Sequence, residues 1–139
     1  MMKVFLDTNI LIDYVDHRDK RVYAKLILGL ADLGIISLYA SYLSYANMGY
    51  ILRKRTQEER YTLMKEARSL ATVLPCDANQ PDLALSQPVK DFEDMLQYQC
   101  ALAAGCDVVV TNNKKDFHEF CSIPFLTSEE FLLQFDYQE

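Results

Sequence analysis

Short, continuous apolar runs alternate with longer segments of helical periodicity, and this alternation limits the folds open to the chain more than any other feature. Lys3-Val4-Phe5-Leu6, Ile35-Ile36-Ser37-Leu38-Tyr39-Ala40 and Asp107-Val108-Val109-Val110 are too short for core helices and apolar at successive positions. A strand that is apolar at every position is buried on both faces, as in a parallel sheet covered by helices. Helices are expected over residues 9–15, 20–33, 42–55, 58–70 and 91–104. In the second of these, Asp19 is the expected cap, and Val22, Leu26, Leu30 and Leu33 form the apolar stripe. In the third, Leu43, Ala46, Tyr50 and Leu52 play that part, and the helix ends in Arg53-Lys54-Arg55. Gly34 and Gly105 stand just after two of the helices, as C-terminal caps do. Weaker strands are expected at 72–76 and 123–126, with a short helix near 82–85. Thr127-x-x-Glu130 is a capping box that opens a last helix over 129–135. Residues 111–117 read as a polar loop. Strands alternating with helices imply right-handed crossovers. The expected architecture is a three-layer α/β/α domain around a parallel sheet of about four to five strands.

At 139 residues the chain suits one domain, residues 1–139. A domain of this size buries roughly two-thirds of its unfolded surface and needs no covalent or metal staple. The four cysteines, Cys76, Cys100, Cys106 and Cys121, contain no C-x-x-C pair, and the only histidines are His17 and His118. A structural zinc site is therefore not expected, and the cysteines read as free thiols in a reducing compartment. The start, Met1-Met2-Lys3, shows no secretory leader, so a cytoplasmic protein is expected. The stretch 26–43 is the most membrane-like, but it holds Gly29, Asp32 and Gly34. It reads as a helix end, a turn and a buried strand, and no membrane association is expected.

The balance of 14 basic and 20 acidic residues gives a net charge of −6, opposite to that of a domain that binds nucleic acid by bulk positive charge. With 4 glycines and no G-x-G-x-x-G or G-x-x-x-x-G-K, phosphate binding by a glycine-rich loop is not indicated. The acids instead fall where a site would form. In open α/β sheets, functional groups gather beyond the carboxyl ends of the strands. Asp7, Thr8 and Asn9 follow the first strand, Ser41 the second, and Thr111, Asn112, Asn113 and Asp116 the 108–110 strand. Asp91, Glu93 and Asp94 begin the helix that feeds that strand. Crowded carboxylates repel one another, so a cation should share the site. Oxygen donors alone favour Mg2+ or Mn2+ over zinc, and such ions activate water for attack on phosphodiesters.

Three segments resemble the PIN domain family of VapC-like toxin ribonucleases. They are Val4-Phe5-Leu6-Asp7-Thr8-Asn9-Ile10-Leu11-Ile12-Asp13, Asp91-Phe92-Glu93-Asp94-Met95-Leu96-Gln97 with residues 101–105, and Val108-Val109-Val110-Thr111-Asn112-Asn113-Lys114-Lys115-Asp116-Phe117. They occur in the family's order and span residues 4–117. The resemblance implies a Mg2+- or Mn2+-dependent endoribonuclease, the toxin of a toxin–antitoxin pair, forming a homodimer and blocked by a small antitoxin. It implies Asp7, Asp94 and Asp116 as metal ligands, with Asn113 or Asp116, or both, completing the site. Thr111 would orient ligands through its hydroxyl, and Thr8 and Asn9 would support Asp7. Two positions depart from the pattern. Asn47 stands where the family carries a Glu, and Asn112 where it carries an Arg, which implies weaker metal affinity and one phosphate contact fewer.

Other readings of these residues are open. Asp91 and Glu93 suit a helix N-terminus for dipole reasons alone and are read that way. Asn47 supports a second function, a catalytically weak PIN-like module that binds RNA or protein. An aspartyl-phosphate domain is a third, but Asp7-Thr8-Asn9 lacks the second acid such domains place near the first strand. The basic runs at 53–55 and 114–115 read as solvated faces or as local phosphate contacts. Tyr39, Tyr42, Tyr45 and Tyr50 read as core or as an interface.

Overall fold

Five strands form one wholly parallel sheet in the computed structural model, which describes residues 1–135. They are β1 (Met2–Leu6), β2 (Ile36–Ser41), β3 (Thr72–Leu74), β4 (Val108–Val110) and β5 (Phe125–Leu126), in the order β3-β2-β1-β4-β5. The helices between them are α1 (Thr8–Val15), α2 (Arg21–Asp32), α3 (Leu43–Ile51), α4 (Gln57–Arg68), α5 (Asn79–Leu85), α6 (Phe92–Ala103), α7 (Lys114–Phe117) and α8 (Ser128–Leu133).

Successive strand residues feed opposite layers, because their side chains alternate across the sheet. Val4 and Leu6 of β1 and Val108 and Val110 of β4 enter one core, with Leu38, Ala40 and residues of α1, α2, α3, α4 and α8. Phe5 and Val109, which lie side by side in the register, enter the other, with Ala84 of α5, Met95, Tyr98 and Ala101 of α6, and Phe117 of α7. This double burial explains why residues 4–6 of β1 and all of β4 are apolar. Removing a side chain such as Phe5, with no exposed surface, should cost about 3–5 kcal/mol.

Several local expectations are corrected. The buried side of α2 is Ala24 and Ile27, with Leu28, Leu30 and Ala31 partly covered, whereas Val22, Leu26 and Leu33 are exposed. The helix is apolar nearly all round, and small Ala24 lies on the side packed against its neighbours. Lys20, and not Asp19, is the capping residue, and it makes no side-chain cap. In α3 the buried residues are Ser44 and Met48, while Ala46 and Tyr50 are exposed. The helix stops at Ile51, before Arg53-Lys54-Arg55, because Thr56 turns extended and forms a capping box with Glu59 at the start of α4. The segment 111–117 contains the single-turn helix α7, anchored by buried Phe117. The box at Thr127 and Glu130 forms as expected. Gly34 and Gly105 adopt φ +76° and +71°, a left-handed conformation that glycine takes without strain. Cys76, Cys100, Cys106 and Cys121 are free thiols. Among the described residues, no helix is long and apolar enough to cross a membrane.

Candidate metal centre

A parallel sheet brings the carboxyl ends of its strands to one edge, and there an open cavity of about 290 Å³ forms. It is lined by Asp7, Thr8, Asn9, Asn47, Tyr50, Ile51, Asp91, Glu93, Asp94 and Asn113. Four of these are carboxylates, and none is Lys, Arg or His.

Asp7 is carried to the cavity by β1. Its N–H donates to the Val110 carbonyl at 3.0 Å, which extends the strand pairing by one residue. It is also the N-cap of α1, so the helix-cap reading and the site reading apply to the same side chain. Oδ1 accepts from the Thr8 N–H at 2.8 Å and Oδ2 from the Thr111 hydroxyl at 2.8 Å. Thr111 is fully buried, and its Oγ1 also accepts from the Asn113 N–H at 3.0 Å. Burial raises the Asp7 carboxyl to about 6; the Thr111 hydrogen bond opposes this, and negative Glu93 and Asp91 add to it.

The first turn of α6 supplies the opposite wall. Asp91 caps the helix, accepting from the Asp94 N–H at 3.0 Å. Asp94 is 4% exposed, and its Oδ2 is buried with no hydrogen-bond partner. Burial, then Asp7, Glu93 and Asp91, push its carboxyl up to about 9. A carboxylate oxygen buried without a donor is costly, and a cation relieves that cost. Ligand atoms of Asp91, Glu93 and Asp94 lie within 4.8 Å of one another. An all-oxygen donor set with an unpartnered buried oxygen fits a hard divalent cation.

Asn47 of α3 lines the same cavity. Its Nδ2 donates to Glu93 Oε2 at 2.8 Å and lies 3.5 Å from Thr8 Oγ1. Beneath the cavity runs a buried polar network. Thr8 Oγ1 donates to Ser44 Oγ at 2.9 Å, Gln97 Nε2 donates to both at 3.3 Å, and Ser41 donates to Gln97 Oε1. This network ties the start of α1 and the end of β2 to the start of α3 and the middle of α6.

The residues expected from sequence separate into three groups. Asp7, Asp94, Asn47 and Asn113 line the cavity, and Thr111 lies directly behind Asp7. Asp116 does not line it, contrary to its expected place as a ligand. Its carboxylate accepts from the Asn113 side-chain amide at 2.6 Å, because the single turn of α7 folds it back on Asn113. Asn112 also turns away, donating to Asp13 at 3.1 Å and accepting from the Ser128 N–H at 3.1 Å. Glu93, read from sequence as a helix-end acid, and Gln97, which drew no attention, both belong to the cluster. Helical spacing links them: Gln97 lies four residues after Glu93 and three after Asp94, so both acids neighbour it along α6. Of the basic runs, Arg55 pairs with Asp16, and the Arg53 guanidinium lies 4.0 Å from the centre of the exposed Tyr50 ring.

The chain is similar to known proteins over most of its length. The profile of the PIN domain family matches residues 3–115. Ribonuclease VapC1 of Aquifex aeolicus (strain VF5) is 27% identical over 135 residues, covering 93% of this chain and 92% of that protein. The VapBC2 structure from Rickettsia felis, bound to a promoter DNA fragment, superposes with a TM-score of 0.68 at 19% identity, over 89% of this chain and 97% of that one. A toxin–antitoxin complex from Klebsiella pneumoniae gives a TM-score of 0.64 at 24% identity, over 90% and 97%. These two solved structures share the fold.

Proposed function

The chain belongs to the PIN domain family, and from that premise and the acidic cavity we propose that it is a single-domain, Mg2+- or Mn2+-dependent endoribonuclease, the toxin of a toxin–antitoxin pair. The observation that carries this reading is the buried, unpartnered oxygen of Asp94, on a residue that lines a cavity with four carboxylates and no basic side chain. The ribonuclease name of the Aquifex relative supports the substrate class.

Asp7 and Asp94, which line the cavity, would hold the cation. When bound, such an ion withdraws charge from a phosphate oxygen and acidifies an adjacent water. Thr111 and the Thr8 N–H fix the Asp7 carboxylate in one orientation. Asp116 acts one step back: it orients the Asn113 amide, which faces the cavity. At the rim, Tyr50 offers an exposed ring with Arg53 against it, suited to a nucleobase and its phosphate. Locally placed groups of this kind let an acidic protein take a polyanion.

A small antitoxin is a proposed protein partner, by likeness to the Klebsiella toxin–antitoxin complex, and a second copy of the chain is proposed beside it. Mass measurement in solution, alone and after co-expression with the adjacent reading frame, tests both. The free thiols suit a cytoplasmic setting. Asn47 favours the second reading, a weak or inactive RNA- or protein-binding module, because an amide brings no charge to the cavity.

The deciding experiment is cleavage of a mixed RNA pool with Mn2+, wild type beside Asp7→Asn. We expect metal-dependent cleavage that the variant loses by at least about a hundredfold, as for other residues that stabilise developing charge. Equal cleavage by both proteins would sink the assignment. A folded wild type without cleavage would favour the binding module.

A further inference from the structure

The wall of α6 carries three acids, and the roles above use only two. Asp91 gives one carboxylate oxygen to the Asp94 N–H as the helix cap. Asp94 keeps its buried oxygen for the cation. Glu93 is left, and it is not placed like a solvated acid at a helix end. The Asn47 amide reaches across from α3 and holds Oε2 at 2.8 Å. The same amide nitrogen lies 3.5 Å from Thr8 Oγ1, on the residue next to Asp7. The position of Glu93 is thus set by tertiary structure, through a donor tied to the floor of the site.

This placement has an electrostatic consequence. A third carboxylate is fixed beside two buried acids, and no basic side chain lines the cavity to offset it. Repulsion alone would swing a glutamate, with its three rotatable bonds, out to water. A neutral amide orients the carboxylate without discharging it, so the full negative charge stays available to a cation. The buried, unpartnered Asp94 oxygen is an independent sign that a cation belongs here.

We propose that Glu93 is a direct ligand of the divalent cation and Asn47 its positioning residue. The proposal rests on the metal-site reading above. It divides one task between two helices: α3 contributes the hydrogen-bond donor and α6 the charge.

The test is Mn2+ binding to the full-length protein, read by loss of the free-ion signal in electron paramagnetic resonance, with circular dichroism confirming the fold of each variant. Glu93→Gln should weaken binding by about tenfold or more. Asp91→Asn removes the same charge but keeps the helix cap, so it should weaken binding clearly less. Asn47→Ala should weaken binding although Glu93 keeps its charge, because the carboxylate loses the donor that holds it. The double variant Asn47→Glu with Glu93→Gln should bind nearly as wild type does, because carboxylate and amide have exchanged sides of one hydrogen bond. Equal losses for Glu93→Gln and Asp91→Asn, with binding abolished in Asp7→Asn, would overturn the ligand assignment and leave the metal site standing. No Mn2+ binding by the folded wild type would overturn the metal-site reading itself, and the ligand assignment with it.

Discussion

The Asp7 carboxylate is gripped at both oxygens, by the Thr8 N–H and by the Thr111 hydroxyl, and only the second grip can be removed by substitution. Thr111→Val keeps the shape of a fully buried side chain and deletes one donor. The Asp7 carboxyl should then rise further, since that hydrogen bond is what opposes its burial. We expect Mn2+ affinity to fall roughly tenfold and stability by about 1 kcal/mol, measured by calorimetric titration and by urea denaturation. Unchanged affinity would mean that the hydroxyl serves only the Asn113 backbone. That Asp7 and Asp94 would reach the same edge of the sheet was legible in the sequence, because Asp7 follows a strand that ends there and Asp94 opens a helix that starts there. Glu93 was not. A carboxylate in a helix's first turn has a sufficient local explanation in the helix dipole, and the donor that gives it another role lies 46 residues away in sequence.

At the scale of elements, Asn112 is a clasp. It joins Asp13 near the end of α1 to Ser128 at the start of α8. Asp13 is 7% exposed, and burial raises its carboxyl. Asn112→Ala should leave that carboxylate and the Ser128 N–H short of partners. It should destabilise the protein by about 1–3 kcal/mol, measured by denaturant titration, while RNA cleavage at a temperature where the variant is folded stays near wild type. A loss of cleavage without a loss of stability would return Asn112 to the site. The strands, the capping box at Thr127 and the glycine stops were readable, since each depends on neighbours within a few residues. Which face of α2 goes inward was not. Val22, Leu26 and Leu33 satisfy a helical stripe as well as Ala24, Ile27 and Ala31 do, and the packing partners choose between them.

For the whole molecule, the crowded acids couple folding to pH and to metal. Asp7 titrates near 6 and Asp94 near 9, against 3.8 for an ordinary aspartate. Between those values the folded state binds more protons than the unfolded chain. The stabilisation from these two groups is therefore complete below about pH 4 and is lost as pH rises through 6 and then 9. A bound divalent cation takes the protons' place. The increase in Tm produced by excess Mn2+ should therefore be larger at pH 8 than at pH 5; equal increases in differential scanning calorimetry would contradict a site built on these acids. The amino-acid order by itself determined the layered architecture, because strands apolar on both faces need cover on both sides and the segments between them are helical. It also determined the edge where polar groups collect, because parallel strands all end on one side. Only the tertiary structure decided which acids meet. It turned Asp116 back onto Asn113, aimed Asn112 at Asp13, and set Asn47 against Glu93. Those choices depend on how α3, α6 and α7 pack beyond the sheet, and long-range packing leaves no periodicity in the chain for a sequence to display.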